Sequence, residues 1–144
     1  MPKEELGVKK MSLSRYRAWD KENDRMIYPS NNDVYFNLTD DGISIEDLAL
    51  EPYDGIFPLL DSVLMQSTGL KDKNGVEIFE GDIVLFTIED GFDYVYGKPG
   101  RINLSLQWGA GVRASSGGNY PLRKCREVRI IGNIYENPEL LEVE

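Results

Sequence analysis

The chain has 144 residues, with 16 Lys and Arg against 25 Asp and Glu for a net charge of −9, one cysteine and no histidine. The absence of histidine excludes Ser-His-Asp and Cys-His nucleophiles, and imidazole metal ligands with them; the single thiol, Cys125, excludes an intramolecular disulfide and thiolate zinc sites. Carboxylates alone remain for acid-base or cation chemistry, and no apolar run approaches the roughly 18 residues of a membrane-spanning helix.

Residues 1–14 are polar, mixed in charge and without periodicity, so a disordered extension is expected there, with residues 15–144 as a single β domain. Arg15 to Trp19 alternates cations with apolar residues and, after the break at Asp20 to Asp24, Met26 to Tyr28 completes a hairpin. Val34 to Leu38 is a short strand that Asp40-Asp41-Gly42 turns into Ile43-Ser44-Ile45. Glu46 to Leu50 is compatible with a strand continuation or with one helical turn. Glu51 to Leu60, with Gly55 and two prolines, is the expected loop between an N-terminal and a C-terminal β unit.

Leu64 to Phe86 organises the rest. Asn74-Gly75 is a tight-turn pair between apolar runs, and Glu80-Gly81-Asp82 bends the chain into Ile83 to Ile88. Both faces of that last strand are apolar, Ile83 and Leu85 on one and Val84, Phe86 and Ile88 on the other, which places it centrally in the core. Phe92 to Tyr96 is read as a strand, Gly97 to Gly100 as a turn, and Arg101 to Trp108 as a half-exposed strand with Ile102, Leu104, Leu106 and Trp108 on its buried face. Gly109 to Gly118 reads as a mobile Gly/Ser-rich loop, Tyr120 to Leu122 as a short apolar patch and Arg126 to Tyr135 as the last strand. Asn137-Pro138-Glu139 signals a short terminal helix capped by Asn137. The fold class is mainly β: a small SH3-like or partly open β-barrel over Leu64 to Asn133, with an N-terminal β-meander and a short C-terminal helix.

Charge is segregated along the chain. Residues 26–70 hold eight acids and no Lys or Arg, whereas residues 94–133 hold seven bases and one acid, Glu127. Such a chain favours self-association or a charged partner where the two segments lie on different faces, and internal neutralisation where they meet in one subunit.

Four groups of residues could carry chemistry. Asp72, Glu77, Glu80 and Asp82 could hold a hard cation or form an acid-base pair, but their spacing fits no calcium loop and their positions suit turns and strand edges. Gly109-Ala110-Gly111 with Ser115 to Gly118 could cradle a phosphate, yet it lacks the Lys-Ser/Thr pair entering a helix. Cys125, between Lys124 and Arg126, could have a lowered pKa, although an incidental thiol on a strand is the plainer reading. Arg101, Arg113, Arg123, Lys124, Arg126 and Arg129, near Trp108, Tyr94, Tyr96 and Tyr120, have the composition with which small barrels bind single-stranded nucleic acid, against the unfavourable overall charge.

The segments Arg15-Tyr16-Arg17-Ala18-Trp19-Asp20, Leu64 to Gly75, Ile78-Phe79-Glu80-Gly81-Asp82-Ile83-Val84 and Ile131-Gly132-Asn133-Ile134-Tyr135-Glu136-Asn137-Pro138-Glu139-Leu140-Leu141 together resemble the YopX family of phage and prophage proteins. Ser67 stands where that pattern has an aromatic residue. The resemblance implies a small, mainly β, phage- or prophage-encoded protein of the bacterial cytoplasm, with no activity to carry over. The expectation is a non-catalytic binding or accessory protein without cofactor, metal or membrane, self-associating or binding a protein, with single-stranded nucleic acid as the alternative partner. The candidate contact residues are Arg101, Trp108, Arg113, Arg123 and Arg129.

Overall fold

The computed structural model describes residues 15–50, 59–89 and 94–142. The expected extension over residues 1–14 and most of the expected loop over residues 51–60 lie outside them. The chain is mainly β and divides into two compact units, Met1–Met65 and Gln66–Glu144.

In the first unit, β1 (Tyr16–Asp20) and β2 (Arg25–Ile27) form the expected hairpin, in a register pairing Ala18 with Ile27. A second hairpin joins β3 (Val34–Thr39) to β4 (Gly42–Asp47), with Phe36 opposite Ile45. Strand alternation turns Val34 and Phe36 inward, where they meet Ala18, Ile27 and Ile45 in one apolar cluster. Glu46 and Asp47 continue β4 as strand, and a turn follows in which Leu50 N donates to Asp47 O at 3.3 Å.

A polar triad fastens the two hairpins. Asp20 and Asp47 are 0% and 2% exposed, and Arg25 reaches both: Nε donates to Asp20 Oδ2 at 3.0 Å and a terminal nitrogen to Asp47 Oδ2 at 2.5 Å. Asp20 also accepts from the Glu22 and Asn23 amides and the Asn23 side chain, and Asp47 from the Ala49 amide. Burial disfavours ionisation of Asp20, but Asn23, Arg25 and the local amides outweigh it and hold the carboxyl below its ordinary value. At Asp47 the Arg25 hydrogen bond is the largest influence, and it likewise lowers the pKa against burial.

In the second unit the latter part of β5 (Ser62–Lys71) pairs with β6 (Glu77–Phe79). A five-stranded antiparallel sheet follows, in the order β10 (Asn119–Pro121), β9 (Gly109–Ala114), β8 (Tyr94–Ser105), β7 (Asp82–Glu89), β11 (Arg126–Asn133). It curls into a half-barrel. β7 is hydrogen-bonded on both sides, as its two apolar faces require. Its Val84, Phe86 and Ile88 pack with Ile78, Ile102, Val112, Ala114, Leu122 and Val128 inside the curl. On its other face Ile83 is fully buried, while Leu85 and Thr87 are half-buried.

Four expectations are corrected. Gly97 to Gly100 is not a turn: β8 runs through it, with a bulge between the pairs Phe86–Lys98 and Ile88–Val95 that takes up one extra residue, and Gly97 at φ +54°. Gly100 is a packing glycine, since a Cβ there would lie 2.5 Å from Val112 Cγ1 and 2.8 Å from Phe86 Cε1. β8 ends at Ser105, so Leu106 and Trp108 belong to the β8–β9 turn and are exposed rather than buried. Gly109–Ala114 is strand, not mobile loop, and only residues 115–118 turn. The terminal helix is a 3₁₀ turn, Pro138–Leu141, in which Asn137 makes no side-chain cap; its Oδ1 instead accepts from Asn133 N at 3.3 Å.

Several residues of the recognised segments act on the backbone. Asp72 Oδ1 accepts from Asn74 N and Val76 N, both at 2.9 Å, closing the Asn74-Gly75 turn, while Oδ2 accepts from Ile130 N of β11 at 3.1 Å. Burial opposes its charge, yet these amides hold its pKa below the ordinary value. Asp82 Oδ2 accepts from Phe79 N at 2.8 Å. Asn133 Oδ1 accepts from Tyr135 N and Glu136 N, and a side chain at Gly132 would collide with Asn137.

Both sets of depressed carboxylates contribute stability that is complete above their unfolded pKa of about 3.9 and is lost as pH falls through the lower folded values. Asp72→Asn, which cannot accept from all three amides, is expected to lower stability at pH 7 by about 1–3 kcal/mol and to flatten its loss below pH 4. Urea midpoints measured from pH 2 to 7 check this, and an unchanged midpoint at pH 7 contradicts it. Arg25→Met strands two buried carboxylates and is expected to cost about 3 kcal/mol, the low end for a broken buried pair because Arg25 itself is 39% exposed. The same titration reads it.

Candidate functional site

Register places the expected contact residues. Across the five-stranded sheet, Ile83 of β7, Arg101 of β8, Arg113 of β9 and Asn119 of β10 stand side by side. Ile102 and Val112, the next residues along β8 and β9, face the core, so this row faces the opposite way, out from the curl. The next outward row is Asn103, Gly111 and Pro121, followed by Ser105 opposite Gly109. Arg129 is opposite Leu85 on the same outer face, with β7 between it and β8. Arg123 lies in the 3₁₀ turn Leu122–Lys124 after β10, off the strand rows. The structure therefore sets Arg101 directly beside Arg113; Trp108 lies past the far end of the same two strands, roughly 14 Å along at about 3.4 Å per residue, Arg129 shares their face two strands away, and Arg123 stands apart.

Trp108 is 81% exposed. Its turn is held by Ser105 Oγ, which accepts from Gln107 N and Trp108 N at 3.1 Å each. Between this ring and the arginine pair lies a hollow of about 410 Å³ lined by Asn103, Ser105, Trp108, Gly111, Asn119 and Pro121 among others. It exists because β9 presents Gly109 and Gly111 outward, two positions without side chains. Read in sequence, these glycines suggested a phosphate cradle or a loop. In the strand they are instead the floor of a depression, and the amides of Ala114, Ser115 and Gly117 donate to backbone carbonyls of the adjoining turn and of Pro99. Asn103, Ser105 and Asn119 were not singled out from sequence, although Asn103 and Ser105 alternate with Ile102 and Leu104. Of the neighbouring aromatics, Tyr94 and Tyr96 stack at 6.3 Å on β8, whereas Tyr120 turns its ring to Phe86 in the core.

The electrostatics of this face are one-sided. Residues 94–126 contain no Asp or Glu. Arg101 and Arg113, directly opposite each other, have no ion pair or hydrogen bond among the described residues. Like charges facing each other across a strand pair are unfavourable.

The remaining candidate groups have structural roles. Asp72 and Asp82 bind backbone amides, Glu77 Oε1 accepts from Ser67 Oγ at 2.9 Å and Glu80 Oε1 from Gln66 N at 2.8 Å. No group of three or more His, Cys, Asp or Glu that could hold a metal ion occurs among the described residues. Burial pushes the Cys125 thiol up to about 11, against the lowering that Lys124 and Arg126 suggested. Ser67, at the departure from the family pattern, is buried; its Oγ accepts from Gly69 N at 3.0 Å, beside the β5–β6 irregularity where Gly69 takes φ +77°.

Replacing Arg113 by Thr, a strand former without charge, is expected to raise stability by a few tenths of a kcal/mol at low salt and by almost nothing at about 500 mM. Denaturation midpoints at the two salt concentrations, on protein dilute enough to remain single chains, check this; a loss of stability at low salt runs against an uncompensated pair.

No helix among the described residues is long and apolar enough to cross a membrane. No curated protein matches the chain. Solved structures resemble it, among them the following two. A protein from Enterococcus faecalis, EF1440, shares 30% identity at a TM-score of 0.56, covering 89% of this chain and 97% of its own. The YopX protein of Bacillus subtilis shares 21% identity at a TM-score of 0.59, covering 90% of this chain and 99% of its own. The family model described as YopX protein matches residues 15–142, a span holding both hairpins, the Asp72 latch and the basic outer face, and the chain belongs to that family.

Proposed function

We propose that this YopX family member is a phage- or prophage-encoded accessory protein of the bacterial cytoplasm that works by binding, without catalysis of its own, and that it associates with itself. Its contact surface is the outer face of the five-stranded sheet, centred on Arg101 and Arg113. The observation that carries the reading is the arginine pair, uncompensated among the described residues, on strands without a carboxylate. The complementary charge is within the same sequence, since residues 26–65 hold eight acids and no base. Acidic surface of one copy set against the basic sheet face of another relieves the repulsion between the two arginines and steers the encounter.

Light scattering after size exclusion tests this. The expected result is a mass above the 16.4 kDa of one chain at about 50 mM salt, falling toward it at about 500 mM as screening shortens the Debye length several-fold. Arg101→Glu with Arg113→Glu should give the single-chain mass at both concentrations. A single-chain mass for the unaltered protein at low salt would sink self-association.

A further inference from the structure

The same face holds a feature that attraction between charged surfaces does not call for. Paired arginines suffice to attract carboxylates, but the hollow beside them is glycine-floored and mainly apolar, with Asn103, Ser105 and Asn119 as its polar groups and an exposed indole in its lining. An exposed indole beside open space is a stacking surface, and any flat aromatic ring can use it. We propose that the hollow receives an unpaired base of a single-stranded nucleic acid, stacked on Trp108, while Arg101 and Arg113 hold the phosphates of the same strand. The nucleic-acid strand and the acidic surface of a second copy compete for the same two arginines, and the proposal does not depend on self-association.

Three observations support this ligand class. Asn103, Ser105 and Asn119 line the hollow with side chains that donate and accept hydrogen bonds, as the edge of a base requires. From Gly109 to Arg113 the strand rises roughly 14 Å, at about 3.4 Å per residue, which is several times the 3.4 Å spacing of successive stacked nucleotides. A short strand bridges that span and a mononucleotide does not. Finally, β8, β9 and β10 carry Arg101 and Arg113 on this face and no acid anywhere along them, so phosphates meet no local repulsion despite the net charge of −9.

The two tryptophans make the test direct, because Trp19 is 8% exposed and Trp108 is 81% exposed. Added quencher or stacking partner therefore reports on Trp108. Titrating the full chain with a twelve-residue oligothymidylate at about 50 mM salt should quench its fluorescence, while thymidine monophosphate at the same nucleotide concentration should quench far less. Trp108→Leu lies in an exposed turn and leaves the core intact. It should abolish the quenching and weaken filter retention of the oligonucleotide roughly tenfold or more, with the light-scattering mass unchanged. Arg101→Glu with Arg113→Glu should remove retention altogether, and retention should fall with added salt. The proposal is overturned by absence of both quenching and retention at low salt, by retention that Trp108→Leu leaves intact, or by polyglutamate binding as well as the oligonucleotide. The last result would mark a general surface for acidic proteins.

Discussion

Gly81 ties the second unit together through its backbone alone. Its amide donates to Ile102 O of β8 and its carbonyl accepts from Ile134 N just past β11, each at 2.9 Å. The residue takes φ +87°, which a side chain would strain. One residue at the entry to β7 thus pins β8 at Ile102 and β11 at its end. A shift there would carry the register of the five-stranded sheet with it, and with the register the assignment of each residue to core or outer face.

The recognised segments and the candidate contact face fall in different parts of the unit. Asp72, Gly81, Asp82, Gly132, Asn133 and Asn137 satisfy backbone groups or admit a close approach. Buried amides without partners are costly, and short loops between strands leave few other ways to pair them. The contact face lies in residues 94–126, which no recognised motif reaches. Motifs built from such devices identify the fold and say little about the chemistry of the outer face.

Much of the fold was legible because alternation is a strong signal wherever one face is buried. β3, β4 and β7 could be read from it, Asp40-Asp41-Gly42 marked the turn between β3 and β4, and Asn74-Gly75 the turn between β5 and β6. The failures share a cause: glycine serves turns, bulges and close packing alike, and sequence does not say which. Gly100 is placed by the Phe86 ring, and Gly109 and Gly111 by the pairing of β9 with β8 and β10. Leu106 and Trp108 continued the apolar alternation of β8, yet pairing ended at Ser105 and left both exposed. At the site, Arg101, Trp108 and Arg113 were identified by residue type, but their adjacency is a matter of register, and the hollow is made by absent side chains.

The curl of the sheet limits how the outer face is used. With Val84, Phe86, Ile102 and Val112 on the inside, the face bearing Arg101 and Arg113 is convex. A convex surface meets a flat partner along a narrow strip, so a partner has to follow the curl of the sheet to cover the roughly 800 Å² per side of a standard stable interface.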